Sequence, residues 1–104
     1  MKTIQSEAEF REISNGDTPV VVKFYTTWCP DCARLNNFID DVIADFHSFS
    51  WYEIDKDKFP EIAEEYQVMG IPSLLVFKNG KKLGHLHSAN AKTEEQVHEF
   101  LQTI

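Results

Sequence analysis

Only two cysteines occur in the 104 residues, and they stand three apart in Trp28-Cys29-Pro30-Asp31-Cys32. A thiolate is both a nucleophile and a metal ligand. Such a pair can therefore form one reversible disulfide, supply one edge of a shared metal site, or be two unrelated thiols. A four-cysteine zinc or iron–sulfur site within one chain is excluded, and so is a disulfide-dense secreted scaffold. Two other groups invite a chemical reading. His85 and His87 alternate along a strand-like run and so share a face, but their spacing relative to the cysteines matches no common zinc pattern. Asp55-Lys56-Asp57 opens like a calcium loop yet lacks the glycine and the closing glutamate. No metal site is assigned to either. Lys and Arg number 10 against 17 Asp and Glu, a formal charge of −7, which argues against a nucleic-acid partner, since that surface would have to be basic.

What positions the cysteines is legible from hydrophobic periodicity. Val20-Val21-Val22-Lys23-Phe24-Tyr25 is β-branched, aromatic and almost continuously apolar, as a central strand covered on both faces should be. Leu35, Phe38, Ile39, Val42, Ile43 and Phe46 recur at helical spacing and predict one long amphipathic helix, with Asn37, Asp40, Asp41 and Asp45 on its solvated face. Pro30 suits the first helical position, so the helix starts at the cysteines. Residues 50–55 read as a second strand, and strand–helix–strand at this spacing is a parallel βαβ unit.

Around this unit the chain predicts a capping box at Ser6 and Glu9 opening a first helix, with Phe10 and Ile13 inward. A further helix opens near Pro60. Residues 73–78 and 81–86 form a hairpin about Asn79-Gly80, a pair that tolerates the positive φ values of a type I′ turn. A terminal helix is capped by Thr93 and Gln96, with Val97, Phe100, Leu101 and Ile104 on one face. The expected fold class is α/β, a mixed sheet sandwiched by helices in one domain spanning 1–104. No run approaches the roughly 18–20 apolar residues of a membrane span, and the N-terminus lacks an apolar core of signal-peptide length. The expectation is a monomer in the cytoplasm without membrane contacts, where a Cys pair is more often catalytic or metal-binding than structural.

At a helix N-terminus, free backbone N–H groups and the helix dipole favour an anion, so Cys29 is placed to ionise and attack a disulfide. Cys32, one turn on, can then resolve the mixed disulfide.

At these residues the chain resembles the thioredoxin family, nearly end to end. The resemblance rests on the strand Val20–Tyr25, Trp28-Cys29 with Cys32, Ile54-Asp55 ending the next strand, Gly70-Ile71-Pro72, the strand Ser73–Phe77 and Lys78-Asn79-Gly80. It implies the thioredoxin fold, with Cys29 as nucleophile and Cys32 as resolving thiol. It implies a cis Ile71–Pro72 bond facing the cysteines, the backbone of Ile71 pairing with substrate, and a partly exposed Trp28 beside the site. It also implies disulfide-containing protein substrates, thioredoxin reductase as electron donor, and no cofactor beyond the redox-active Cys29–Cys32 disulfide.

Four departures from the family pattern bear on the chemistry. Pro30-Asp31 stands where Gly-Pro is usual. A carboxylate at Asp31 would repel a thiolate, making the pair slower to ionise and more reducing; its simpler role is to stabilise the first turn of the helix. Lys23 replaces a buried aspartate, and a buried ammonium would favour thiolates; its plainer role is to reach solvent from a strand end. Trp51 replaces that aspartate's usual lysine partner, with Glu53 the candidate substitute on the same strand face. Residues 88–92 contain a small insertion near Ser88 that would reshape the substrate groove, where Met69 is either a contact or a packing filler. The leading function is a dithiol–disulfide oxidoreductase. The competing ones are a binding module that keeps the fold without the redox activity, and a dimer sharing an iron–sulfur cluster through Cys29 and Cys32.

Overall fold

A computed structural model describes residues 1–104. The elements run β1 (Lys2–Thr3), α1 (Glu7–Ser14), β2 (Val20–Tyr25), α2 (Pro30–Asn36), α3 (Ile39–Asp45), β3 (Ser50–Asp55), α4 (Pro60–Glu65), β4 (Ser73–Lys78) and β5 (Lys81–Leu86). A 3-10 turn (Ser88–Asn90) and α5 (Glu94–Gln102) follow. The sheet order is β1-β3-β2-β4-β5. β1, β3 and β2 are parallel, whereas β4 and β5 run antiparallel. This is the mixed sheet expected, with the parallel unit and the hairpin in the places assigned to them.

The central strand is covered on both faces because its two sets of alternating side chains enter two cores. Val20, Val22 and Phe24 pack with Phe10 of α1 and Ile62 of α4. Val21 packs on the other face with Leu35, Ile39, Val42 and Val97, from α2, α3 and α5. Lys23 shares the Val21 face of the strand, a buried charge where the pattern calls for an apolar residue.

The β2–β4 register sets Phe24 opposite Ser73. The chain leaving β2 toward Cys29 and the chain entering β4 from Pro72 therefore meet at one end of the sheet. The parallel register sets Lys23 beside Glu53. These two registers, each fixed by burial of the flanking apolar residues, create the site.

Two local expectations need correction, and one strand is new. The long helix is two helices, α2 and α3. The apolar stripe survives the break, since Leu35, Ile39 and Val42 are all buried. The backbone instead tightens to i−3 bonds, Asn37 to Arg34 at 3.2 Å and Phe38 to Leu35 at 3.1 Å, and Phe38 leaves helical geometry at φ −128°. Asn36-Asn37 is a weak helix-forming pair whose amides compete for hydrogen bonds, and the Asn36 side chain is bonded to Lys23. At α1, Ser6 Oγ accepts from the Glu9 N–H as expected. Glu9 reaches one residue further back, to the N–H of Gln5 at 2.7 Å, so the box is not reciprocal. The box at Thr93 and Gln96 is complete. β1 was not anticipated, because two residues are too short to show a period. Asn79 and Gly80 adopt φ of 54° and 79°, the turn that their sequence predicts.

Candidate active site

Cys29 is the N-cap of α2, with Pro30 beginning the helix. The cap is made by sulfur, since Cys29 Sγ accepts the Cys32 N–H at 3.1 Å. A serine or aspartate oxygen does the same work at most helix starts. Here the acceptor is a cysteine sulfur, so the N–H that caps the helix is aimed at an atom that can carry negative charge once the pair is reduced. Cys29 and Cys32 are joined as a disulfide with their Cα atoms 5.3 Å apart, and they are 8% and 4% exposed.

The Ile71–Pro72 bond is cis and lies at the sheet end that carries the cysteines, through the Phe24–Ser73 register. Ser73 Oγ donates to the Gly70 carbonyl at 2.6 Å and holds this turn. Neither the N–H nor the C=O of Ile71 is hydrogen-bonded within the chain. Trp28 is no core aromatic; it is 68% exposed, and its indole N–H donates to Asp57 Oδ2 at 2.9 Å, fixing the ring on the rim. Met69 is 85% exposed and fills no gap.

Behind the disulfide, Lys23 does not reach solvent. Its side chain is 3% exposed, and Nζ donates to Asn36 Oδ1 at 2.7 Å. Glu53 Oε1 is 3.5 Å from the ammonium, as the register requires, and the Tyr25 ring centroid lies 5.5 Å from it. A cleft of about 280 Å³ brings Lys23, Glu53 and Asn36 together with Thr26, Cys29 and Cys32. Burial, reinforced by the charges of Glu53 and Asp55, pushes the Tyr25 hydroxyl above its usual pKa. The Thr26 hydroxyl is buried in this region without a hydrogen-bond partner.

In front of the disulfide, the Asp31 carboxylate is paired on both oxygens. Lys92 Nζ donates to its Oδ2 at 3.0 Å, and Arg34 lies 3.2 Å from Oδ1. The hydrogen bond from Lys92 and then its charge hold the Asp31 carboxyl below its ordinary range; desolvation opposes them, and the Arg34 charge adds least. His85 and His87 do share a face, with rings stacked 3.8 Å apart. The Lys82 ammonium is 3.1 Å from His85 Nδ1, a cation where a metal ion would need a free ligand atom. Burial, His87 and Lys82 together push the His85 pKa down to about 4.

A family model described as "Thioredoxin" matches residues 1–103. The chain belongs to the thioredoxin family. It is 36% identical over 104 residues to the thioredoxin of Oryctolagus cuniculus, covering 97% of this chain and 99% of that protein. With thioredoxin-1 of Saccharomyces cerevisiae the identity is 32% over 93 residues, 89% of this chain and 90% of the relative. The crystal structure of thioredoxin from Trypanosoma brucei brucei superimposes with a TM-score of 0.86 at 25% identity, covering 97% and 87% of the two chains. The fold is thus the thioredoxin fold, and the activity is that of a dithiol–disulfide oxidoreductase acting through Cys29 and Cys32. Neither the redox-inactive binding module nor the shared iron–sulfur cluster is favoured by these relationships. Thioredoxins act on disulfide-containing substrates and are reduced by thioredoxin reductase.

Sequence reading missed Lys92, Asn36, Asp57 and Thr26 as neighbours of the site. Lys92 and Asp31 are 61 residues apart, and no local pattern joins a residue before one helix to the first turn of another.

Proposed function

We propose that Cys29 is the attacking thiol and Cys32 the resolving one in the reduction of protein disulfides. The observation that supports this most directly is Cys29 Sγ capping α2 through the Cys32 N–H, which provides a donor for the thiolate at the place where it forms. In the reduced protein the Cys29 thiolate attacks one sulfur of a substrate disulfide, and the other substrate sulfur leaves as a thiolate. Cys32, once deprotonated, attacks Cys29 Sγ, the mixed disulfide breaks, and the second substrate thiolate leaves. Two electrons pass to the substrate and the Cys29–Cys32 disulfide forms, to be reduced again by a dithiol donor.

The unbonded N–H and C=O of Ile71 are free to pair with an extended substrate backbone next to Pro72, and the exposed Trp28 ring supplies an apolar rim for it. Pro30, Asp31 and Lys23 tune the pair, Lys23 from the buried side by favouring negative sulfur. The donor is a thioredoxin reductase, and the protein works as a cytoplasmic monomer without a resident cofactor.

Reduction of insulin with dithiothreitol as donor tests the activity. The wild type accelerates turbidity above background, and Cys29→Ser abolishes the acceleration. Cys32→Ser retains the first step, so it accumulates mixed disulfides through Cys29 that a lysate of the native cells supplies. A reduced, Cys29-free-thiol sample with no rate above background would overturn the reading.

A further inference from the structure

The 88–92 segment connects β5 to α5, and it touches both walls of the site. Ser88 packs so closely on Gly70, just before the cis bond, that a Cβ at Gly70 would collide with its hydroxyl. Four residues later, Lys92 is bonded to Asp31 between the two cysteines. The Lys92 backbone is held firmly. Its N–H and that of Thr93 both donate to Gln96 Oε1, at 2.9 and 3.1 Å, within the α5 capping box, and the preceding Ala91 is 3% exposed. A long flexible side chain is thus launched from a fixed point toward one carboxylate.

From this geometry we infer that Lys92 is a positioning residue for the redox pair, acting by neutralising and holding Asp31 beside Cys29. Asp31 lies in the first turn of α2, where its negative charge would compete with the Cys29 thiolate for the same helix-end N–H groups and the same positive potential. Pairing with Lys92 removes most of that competition. Arg34 also reaches Asp31, but from the same helix and with a side chain 61% exposed, against 44% for Lys92. Its hold is the weaker of the two. Two other charges near the pair do not contact Asp31: Lys23, paired with Glu53, acts on the cysteines from the cleft behind them, and Asp57 is engaged by the Trp28 indole.

This inference rests on Cys29 being the ionising thiol, and its test does not depend on substrate reduction. The pH profile of Cys29 alkylation by iodoacetamide is measured in the fully reduced protein, with mass spectrometry assigning the modified cysteine. Lys92→Gln leaves Asp31 partly uncompensated and should shift the profile upward by about half a pH unit, slowing alkylation at neutral pH about threefold, on the scale of one partly screened charge. Lys92→Arg should restore the wild-type profile. In an Asp31→Asn background the Lys92→Gln shift should fall to less than half its size, because no carboxylate then holds the Lys92 ammonium beside the pair. An unmoved profile in Lys92→Gln overturns the inference, as does an equal shift with and without Asp31. Loss of thermal stability in Lys92→Gln with no change in the profile would show a capping role only and overturn it too. A protein whose Cys29 alkylates normally but reduces no insulin would count against the proposed function and leave the Lys92 result standing.

Discussion

Lys23 and Lys92 each bring an ammonium toward the cysteine pair, and each faces a carboxylate, Glu53 at 3.5 Å and Asp31 at 3.0 Å. The geometry of the second pair is the better one. The surroundings differ more than the distances do, for the Lys23 side chain is 3% exposed and that of Lys92 44%. Two unit charges about 4 Å apart interact by about 1 kcal/mol in water and about 4 kcal/mol at an effective dielectric of about 20. Burial, not closeness, therefore decides which pair holds the fold. An exposed pair contributes little to stability. It can still influence a reactive group next to it, because a shift of half a pH unit requires only about 0.7 kcal/mol. The inner pair is structural as well as electrostatic, whereas the outer pair acts mainly on chemistry.

Removing the inner ammonium should give the largest effect. Lys23→Met leaves Asn36 and Glu53 facing an apolar tip, and it should lower the free energy of unfolding in urea by about 2 kcal/mol, less than a fully buried pair would lose because water reaches Glu53. The Cys29 alkylation profile should move up in the same variant, and further up in Lys23→Asp, which reverses the charge. An unchanged thiol titration in Lys23→Asp would reduce Lys23 to a structural residue and erase half of the contrast. Asn36→Ala removes the 2.7 Å acceptor but opens the ammonium to water from the exposed side of α2. It should cost about 1 kcal/mol with little change in the thiol profile.

The difference between the two pairs also explains which of them could be read in the sequence. The inner one is a consequence of strand register. Lys23 interrupts an apolar run, and comparison with the family pattern makes Glu53, on the same face of the next strand, its candidate partner. The Lys23–Glu53 register, fixed by burial of the flanking residues, bears this out. Cys29 is placed at a helix start by Pro30 and the apolar stripe that follows it, whereas Pro72 is set opposite it by the family resemblance alone. The outer pair depends on where the 88–92 segment leads Lys92, and loops carry no periodic signal. The break between α2 and α3 was hidden for a related reason. The stripe from Leu35 to Phe46 reports which side chains are buried, and burial continues across Asn37-Phe38 even though the backbone bonds change from i−4 to i−3. β1 escaped because it contributes two backbone pairings and no buried side chain.

On the outer side, Asp31→Asn should lower the urea midpoint at neutral pH only slightly, because its pairs are on the exposed rim, while shifting the Cys29 alkylation profile downward, since it deletes a negative charge beside the thiolate and keeps Lys92. Sodium chloride at about 1 M shortens the screening length to about 3 Å and should shrink the difference between wild type and Asp31→Asn. The difference between wild type and Lys23→Met should persist. If salt erased both equally, the inner cleft would be as wet as the rim, and burial would not be what separates the two pairs.

Acid offers the finest separation, provided that His85 is accounted for. Its pKa is about 4 in the fold against 6.5 for an unperturbed histidine. Between those values the unfolded chain takes up a proton that the folded chain refuses. The contribution of neutral His85 is therefore complete above pH 6.5 and is lost progressively as the pH falls toward 4. The groups that keep it neutral are its buried position, His87 and Lys82. Asp31, held below its ordinary 3.8 by Lys92 and Arg34, works in the adjoining window. Its ion pairs are intact above that value and dissolve as the pH falls through the lowered one. His85→Gln should flatten the fall in urea midpoint between pH 6.5 and 4 and leave the region below 4 untouched. Asp31→Asn should do the reverse, with the smaller amplitude, because its pairs are on the exposed rim. A His85→Gln profile that still fell between pH 6.5 and 4 would assign that window to other groups, and the small acid signal of the outer pair could then be read only from the thiol.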